Sequence, residues 1–516
     1  MVAFSMTTIS QNNKRIAKNT IMLYIRMLLI MVITLYTSRI VLQVLGVTDF
    51  GIYNVVGGVV AMFSVLSGSL SAAISRFITF ELGRGDKEKL KKVFSTAVNI
   101  QLGLSIAIFI LAEIGGVWFL NEKMNIPQDR MMAAHCVLQF SIFTFMINLI
   151  SVPYYAAIIA HERMSAFAYI SIIEATLKLG VVYLLVYSAF DKLMSYAVLL
   201  FITALIVRFV YGFYCKRHFE ECTYHFVVDR PLVKEMTGFA GWNFIGVSSS
   251  VLRDQGVNIV INLFCGPTVN SARGIAFQIN SAICSFIYNF TTAINPQITK
   301  SYATGNYKYM MSLVQQGSRF SFYLLLLLSL PVLFETKIIL SLWLNIVPEY
   351  TVAFTRLVLV FALIESFSAT LITAMLATGN IKNYQLVVGG IQLLNLPLSY
   401  LALKLGFAPQ STLIIAIGLS LCCLFSRLYM LHGMIKLSVR KYMKVVLLNA
   451  FVVSLLSCFF PMIIYVRFEE SLSRFFLLTF ICLCNTLLVE YFVGCTSSER
   501  AMIGNKLSQL KSKLTK

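Results

Sequence analysis

The residues that invite a chemical explanation are charged side chains inside apolar runs. The stretch NFIGVSSSVLRDQGVNIVINLF (243–264) carries Arg253 and Asp254 in its middle. A charge at the centre of a bilayer costs about 2.5–3.5 kcal/mol on the insertion scale, so each calls for a reason. Away from predicted helix ends the basic set is Arg26, Arg39, Lys178, Arg253, Arg273 and Arg356. The acidic set is Glu113, Glu174, Asp254 and Glu365. Glu174 and Lys178 stand one helical turn apart and are expected to pair. Arg208, Arg319 and Arg427 lie near predicted helix ends and are expected to snorkel to water. The remainder is an excess of arginine. Guanidinium is a planar fork suited to phosphate and stays charged in a partly dry site, so the set points to an anion. For Arg253 a second reading stays open, an ion pair with Asp254 that only fixes helix packing.

The elements that must position these side chains are membrane-spanning helices. The chain has 516 residues, 58% hydrophobic and 12% charged, with a mean hydropathy of +0.80. Soluble domains carry about 25% charged residues, so a soluble protein is excluded. The net charge of +20 sits mainly in short segments between apolar runs, so topology rather than nucleic acid accounts for it. Most of the eleven cysteines, Cys422 and Cys423 among them, fall inside apolar runs, where a thiol is a packing residue. The five histidines have no metal-ligand spacing and no nucleotide-binding loop is present, so neither metal nor cofactor is expected.

At about 20 apolar residues per span, fourteen candidates emerge: 20–44, 51–80, 93–120, 132–158, 165–189, 193–215, 236–264, 268–297, 314–344, 350–377, 383–405, 411–435, 442–466 and 472–495. The first is read as a retained helix, not a signal peptide, for want of a small-residue cleavage site. With the N-terminus inside, inside segments hold clusters such as Arg84, Lys87, Lys89, Lys91 and Lys92, whereas outside segments hold little beyond Lys123, Arg130, Lys192, Arg467 and Arg474. This positive-inside bias predicts that both termini are cytoplasmic. No loop is long enough for an extramembrane catalytic domain, so an enzyme is not expected.

A repeat lies at an offset of 220. LGVTDFGIYNVVGG (45–58) superposes on CGPTVNSARGIAFQ (265–278), and ELGRGDKEK (81–89) on SYATGNYKY (301–309). The shift pairs Gly46 with Gly266, Thr48 with Thr268, Gly85 with Gly305 and Asp86 with Asn306, without a gap. Six spans separate the copies, so direction is preserved and the repeats are parallel. The predicted fold is an all-α polytopic membrane protein of about 14 transmembrane helices, two six-helix lobes plus a C-terminal helix pair. Its predicted divisions are 1–217, a cytoplasmic linker 218–235, 236–437, and 438–516. Spans 1, 2, 7 and 8 would line a central cavity. On span 7, Asn243, Gly246, Ser250, Arg253 and Asp254 fall within about 100° of arc. Ser281, Ser285, Tyr288, Thr292 and Asn295 share a face of span 8, Asn19, Arg26 and Thr37 one of span 1, and Ser64, Ser67, Gly68, Ser71 and Ser75 one of span 2. Small residues also serve as helix-packing glue, and for span 2 the two readings weigh equally.

The segment SRIVLQVLGVTDFGIYNVVGG (38–58), with Leu45–Gly46 and Gly51–Ile52–Tyr53 straddling the first outside turn, resembles the start of bacterial polysaccharide flippases of the O-antigen type. These belong to the multidrug/oligosaccharidyl-lipid/polysaccharide exporter superfamily, and the likeness extends over the full two-lobed pattern. The resemblance implies a flippase, moving an isoprenoid-diphosphate-linked oligosaccharide across the bacterial inner membrane by alternating access for O-antigen, capsule or exopolysaccharide assembly. Its partners would be that glycolipid, membrane lipids and a polysaccharide polymerase. The residues expected at the cargo are Arg26, Arg39, Asn243, Ser250, Arg253, Asp254, Arg273, Ser281, Ser285, Asn295, Arg356 and Glu365. Family members commonly have twelve spans, and the extra pair here resembles the lipid II flippase branch. A cation-coupled multidrug exporter would instead use Asp254 or Glu365 as a titrating carboxylate. A glycan polymerase or ligase would need a large external loop.

Overall fold

The computed structural model describes residues 2–61, 63–122, 126–226, 229–344, 347–501 and 504. Among these it contains helices and loops and no strand. The first six helices are α1 (Val2–Ala61), α2 (Ser64–Arg84), α3 (Lys87–Glu122), α4 (Met131–Ala160), α5 (Met164–Val186) and α6 (Lys192–His218). After the loop comes α7 (Arg230–Ala303), then α8 (Tyr307–Phe334), α9 (Thr336–Trp343), α10 (Thr351–Ser366), α11 (Ser368–Thr378), α12 (Lys382–Leu393), α13 (Asn395–Lys404) and α14 (Ser411–Ile435). The short α15 (Val439–Tyr442) precedes the final pair, α16 (Asn449–Arg467) and α17 (Leu472–Val489).

Among the described residues ten helices are long and apolar enough to cross a membrane, eleven if the bent pair α10–α11 is one span. The chain is therefore a multi-pass, all-α membrane protein. The three expected spans that this criterion leaves out are 51–80, 236–264 and 268–297. They are the same segments that carry the serine, asparagine and arginine faces, and those side chains depress their hydropathy.

Four glycines reproduce the offset of 220. Gly46 (φ 77, ψ 171) breaks α1 and Gly266 (φ 79, ψ 178) breaks α7, while Gly85 (φ 76) and Gly305 (φ 72) follow α2 and α7. A Cβ at Gly46 or Gly266 would meet nothing within 4 Å, so backbone conformation rather than space demands glycine. That region of φ/ψ is open almost only to glycine and costs about 1–3 kcal/mol for other residues. Gly266→Ala should therefore lower stability by about 1–3 kcal/mol, read as a lower unfolding temperature of the detergent-solubilised protein. An unchanged temperature would mean that the break relaxes into continuous helix.

The structure divides into two compact units. The first comprises Met1–Ser248, Thr292–Asn306 and Gly379–Lys382; the second comprises Ser249–Thr291, Tyr307–Thr378 and Asn383–Lys516. In the first unit, α2 packs on the last turns of α7. A Cβ on Gly83 would lie 3.0 Å from Cβ of Ala303, its equivalent one repeat later, and 3.0 Å from Cα of Lys300. Phe80 lies against Tyr302, and Phe77 meets Phe239 edge to face at 5.9 Å.

In the second unit α10 and α11 are bent by 41° at Phe367. The bend frees a carbonyl that hydrocarbon could not hydrate. The hydroxyls of Ser318 (2.9 Å) and Tyr442 (3.2 Å) donate to that Phe367 oxygen, and Thr370 donates to the Val314 carbonyl. The final helix pair is fastened by polar contacts with the α8–α9 region. Arg474 forms a bidentate pair with buried Glu335 at 2.9 and 3.0 Å, Arg319 pairs with Glu499, and Tyr323 donates to Asn449. Arg319 and Arg427 are 3% and 1% exposed, so they do not snorkel as expected. Each is instead enclosed by the helix bundle, Arg427 donating to Ser368 at 2.7 Å.

Candidate functional site

The first unit contains a cavity of about 430 Å³ between α1, α5 and α6. Its polar lining is Arg26, Thr34, Thr37, Ser171, Glu174 and Lys178, with Tyr53 and Tyr196 packed edge to face at 4.9 Å. Glu174 and Lys178 form the expected pair at 2.6 Å. Arg26 lies over the Phe167 ring at 4.5 Å, which holds its fork at the cavity. The lining therefore carries two cations against one carboxylate. Arg39 stands on the exposed side of α1, outside this lining. Asn243 is buried and donates to the Ser69 carbonyl of α2 at 3.3 Å, a contact between helices. Asn295 is half-buried and its backbone oxygen accepts from Thr299.

The second unit gathers Arg253, Asp254, Arg273 and Glu365. Arg253 donates through Nε and Nη2 to Asp254 at 2.8 and 3.1 Å and lies 5.2 Å from the centre of the Phe361 ring. Arg273, 3% exposed, donates to the neutral Asn258 amide oxygen at 2.8 Å and covers the Phe277 ring at 4.6 Å. Asp254 acts electrostatically on both arginines, and Glu365 on Arg253 and Arg427. Glu365 also accepts a hydrogen bond from Ser420. Three guanidinium groups thus face two carboxylates, leaving one positive charge in excess. Ser250 donates to Gln392 at 2.9 Å, which turns α7 toward α12. Ser285 donates to the Ala282 carbonyl of its own helix, and Ser281 is exposed.

Arg356 is placed apart from that group. Its guanidinium donates to the Leu333 carbonyl at 3.0 Å, to Thr336 at 3.3 Å and to the Phe334 carbonyl at 3.4 Å. Leu333 and Phe334 are the last residues of α8, so Arg356 caps a helix C-terminus, where a cation is favoured.

Glu162 is the residue that sequence reading did not single out. It occupies the αα turn after α4 with φ 59, and its side chain is fully buried. Its Oε2 accepts from Arg15 (2.7 Å) and Gln297 (2.6 Å), its Oε1 from Lys300 (2.8 Å), and its backbone oxygen from Asn19 (3.1 Å). Burial pushes the Lys300 ammonium below the usual lysine range; Glu162 opposes that fall and Arg15 adds to it. A lone glutamate between His161 and Arg163 was the available signal, but its partners lie up to 143 positions away.

Comparison with known proteins places this geometry. The multidrug resistance MATE family transporter of the MOP superfamily, solved in an outward-facing conformation, matches 82% of this chain and 96% of its own, with a TM-score of 0.70 at 13% identity. A MOP superfamily transporter from Pyrococcus furiosus, for which a reversed polarity of the binding pocket is described, matches over the same shares with a TM-score of 0.71. At that identity the likeness is one of fold. The uncharacterized membrane protein EpsK of Bacillus subtilis (strain 168) is 20% identical over 302 residues, 58% of this chain, and the match spans 59% of EpsK. A family model described as polysaccharide biosynthesis protein matches residues 16–304, more than half of the chain. This chain belongs to that polysaccharide biosynthesis protein family.

Proposed function

We propose that the protein is a flippase that carries an isoprenoid-diphosphate-linked oligosaccharide from the cytoplasmic to the outer leaflet of the bacterial inner membrane. Both termini lie in the cytoplasm, as the positive-inside bias requires. The observation that carries this reading is the group of Arg253, Arg273 and Arg427 against Asp254 and Glu365, one guanidinium in excess, in a fold built for transport. Phosphate oxygens satisfy such forks two at a time, so a diphosphate replaces Asp254 as the partner of Arg253 without leaving a cation bare. Ser250, Gln392 and Asn258 offer neutral donors and acceptors for sugar hydroxyls. The isoprenoid stays in the hydrocarbon, and rocking of the two repeats exchanges access. No step makes or breaks a covalent bond.

In cells that lack the protein, complete lipid-linked repeat units should accumulate on the cytoplasmic leaflet and surface polysaccharide should disappear. Lipid extraction with mass spectrometry checks this. Unaltered lipids together with altered drug susceptibility would favour a second reading, a cation-coupled multidrug exporter that relies on Asp254 or Glu365.

A further inference from the structure

We propose a second anion site, at the entrance of the first unit on the face assigned above to the cytoplasm, which receives a phosphate-bearing headgroup before transport. A cavity of about 490 Å³ opens there between Arg15–Asn19 of α1, the turn after α4, the first turn of α5 and the last turns of α6. Arg15, Lys18 and Arg163 line it with cations, and Asn19, Ser165 and Tyr214 with neutral polar groups. His161, stacked on Phe219 with ring centres 4.0 Å apart, forms part of its wall. The α5 N-terminus carries no side-chain cap, so its first-turn N–H groups add partial positive charge to the same space.

The arrangement around Glu162 argues for a ligand rather than a merely solvated basic surface. The carboxylate is shared, and its two cationic partners differ. Lys300 is mostly enclosed, with 21% of its side chain exposed, whereas Arg15 is 49% exposed and faces the cavity. If Arg15 turns to a phosphate, Glu162 keeps Lys300 and Gln297 and is not left as a lone buried charge. Arg15 is thus an exchangeable partner, and occupancy of the cavity withdraws one of the bonds that tie α1 to the turn after α4. Entry of an anion thereby loosens the seam that joins α1, that turn and the last turns of α7. The shared chemistry is a phosphate or diphosphate, supplied by the cargo lipid, a leaflet phospholipid or a free anion. The inference rests on the proposed topology but not on the role of Arg253 and Arg273.

The test uses the full-length protein in phosphatidylcholine nanodiscs, with inorganic diphosphate as the probe in titration calorimetry. The double variant Lys18→Gln/Arg163→Gln changes only exposed side chains and should weaken one binding event by about tenfold or more. Glu162→Gln removes the competing carboxylate and should tighten the same event. Arg253→Gln/Arg273→Gln should leave that event within about twofold. Diphosphate binding that survives Lys18→Gln/Arg163→Gln unchanged would overturn the site, whatever the other arginines do. Loss only in Lys18→Gln/Arg163→Gln would uphold this site and remove the diphosphate anchor from the proposed function. A parallel series with phosphatidylglycerol in the nanodisc identifies the source. Competition by the lipid supports a leaflet headgroup as occupant, and undiminished diphosphate binding supports a diphosphate ligand.

Discussion

Glu162→Ala is expected to be the most destabilising single change at the seam of the first unit. The substitution removes a carboxylate shared by Arg15, Gln297 and Lys300, and strands the enclosed ammonium. Breaking a buried pair by deleting one partner costs about 3–5 kcal/mol. The low end applies here, because Lys300 keeps some contact with solvent. A loss of roughly 3 kcal/mol should lower the unfolding temperature by several degrees in a chain of this size. Glu162→Gln should cost less, since the amide still accepts from Lys300 while Arg15 retains access to water. A Glu162→Ala protein with the melting profile of the parent would show that the three donors find other partners, and the seam would then need another account.

Arg273→Ala is expected to have the largest effect on transport. Arg273 is enclosed against Phe277, and its observed donor contact goes to a neutral amide, Asn258. Its charge is therefore less committed than that of Arg253, which already holds Asp254 by two bonds. Charge-assisted hydrogen bonds contribute about 1.5–3 kcal/mol, so losing them to a bound diphosphate should slow transport by about ten- to a hundredfold. Arg273→Lys keeps the charge without the fork and should retain part of the rate. A role confined to packing would give a different pattern. Both variants would then lose stability together, and transport per folded molecule would stay at the parental rate.

The glycine spacing makes the repeat legible in the sequence. Gly46 and Gly266 adopt the same rare backbone conformation, which only glycine occupies cheaply, and Gly85 and Gly305 both have positive φ. The pairing of Glu174 with Lys178 was also readable, because one helical turn joins them. Partnerships between distant residues were not. Arg319 and Arg427 sit near helix ends in the sequence, yet Arg319 meets Glu499, 180 positions away, and Arg427 meets Ser368, 59 away. Arg356 looked like a cavity cation, whereas three acceptors at the junction of α8 and α9 engage it. Segments 51–80, 236–264 and 268–297 read as spans by their length, yet they fall outside the helices that meet the length and hydropathy criterion, for a physical reason. Segments rich in serine, asparagine and arginine resemble lipid-facing helices least. The candidate cargo groups were therefore legible as residue types, but their division between two units and their specific partners were not.

Reconstituted transport tests the central claim most directly. The purified protein is placed in liposomes with an isoprenoid-diphosphate-linked oligosaccharide on one leaflet, and the appearance of glycan on the other leaflet is followed over time. The parent protein should transfer the glycolipid, and Arg253→Gln/Arg273→Gln should transfer it at close to the protein-free rate. Equal rates for the parent and the double variant would contradict the assignment of a diphosphate to these guanidinium groups.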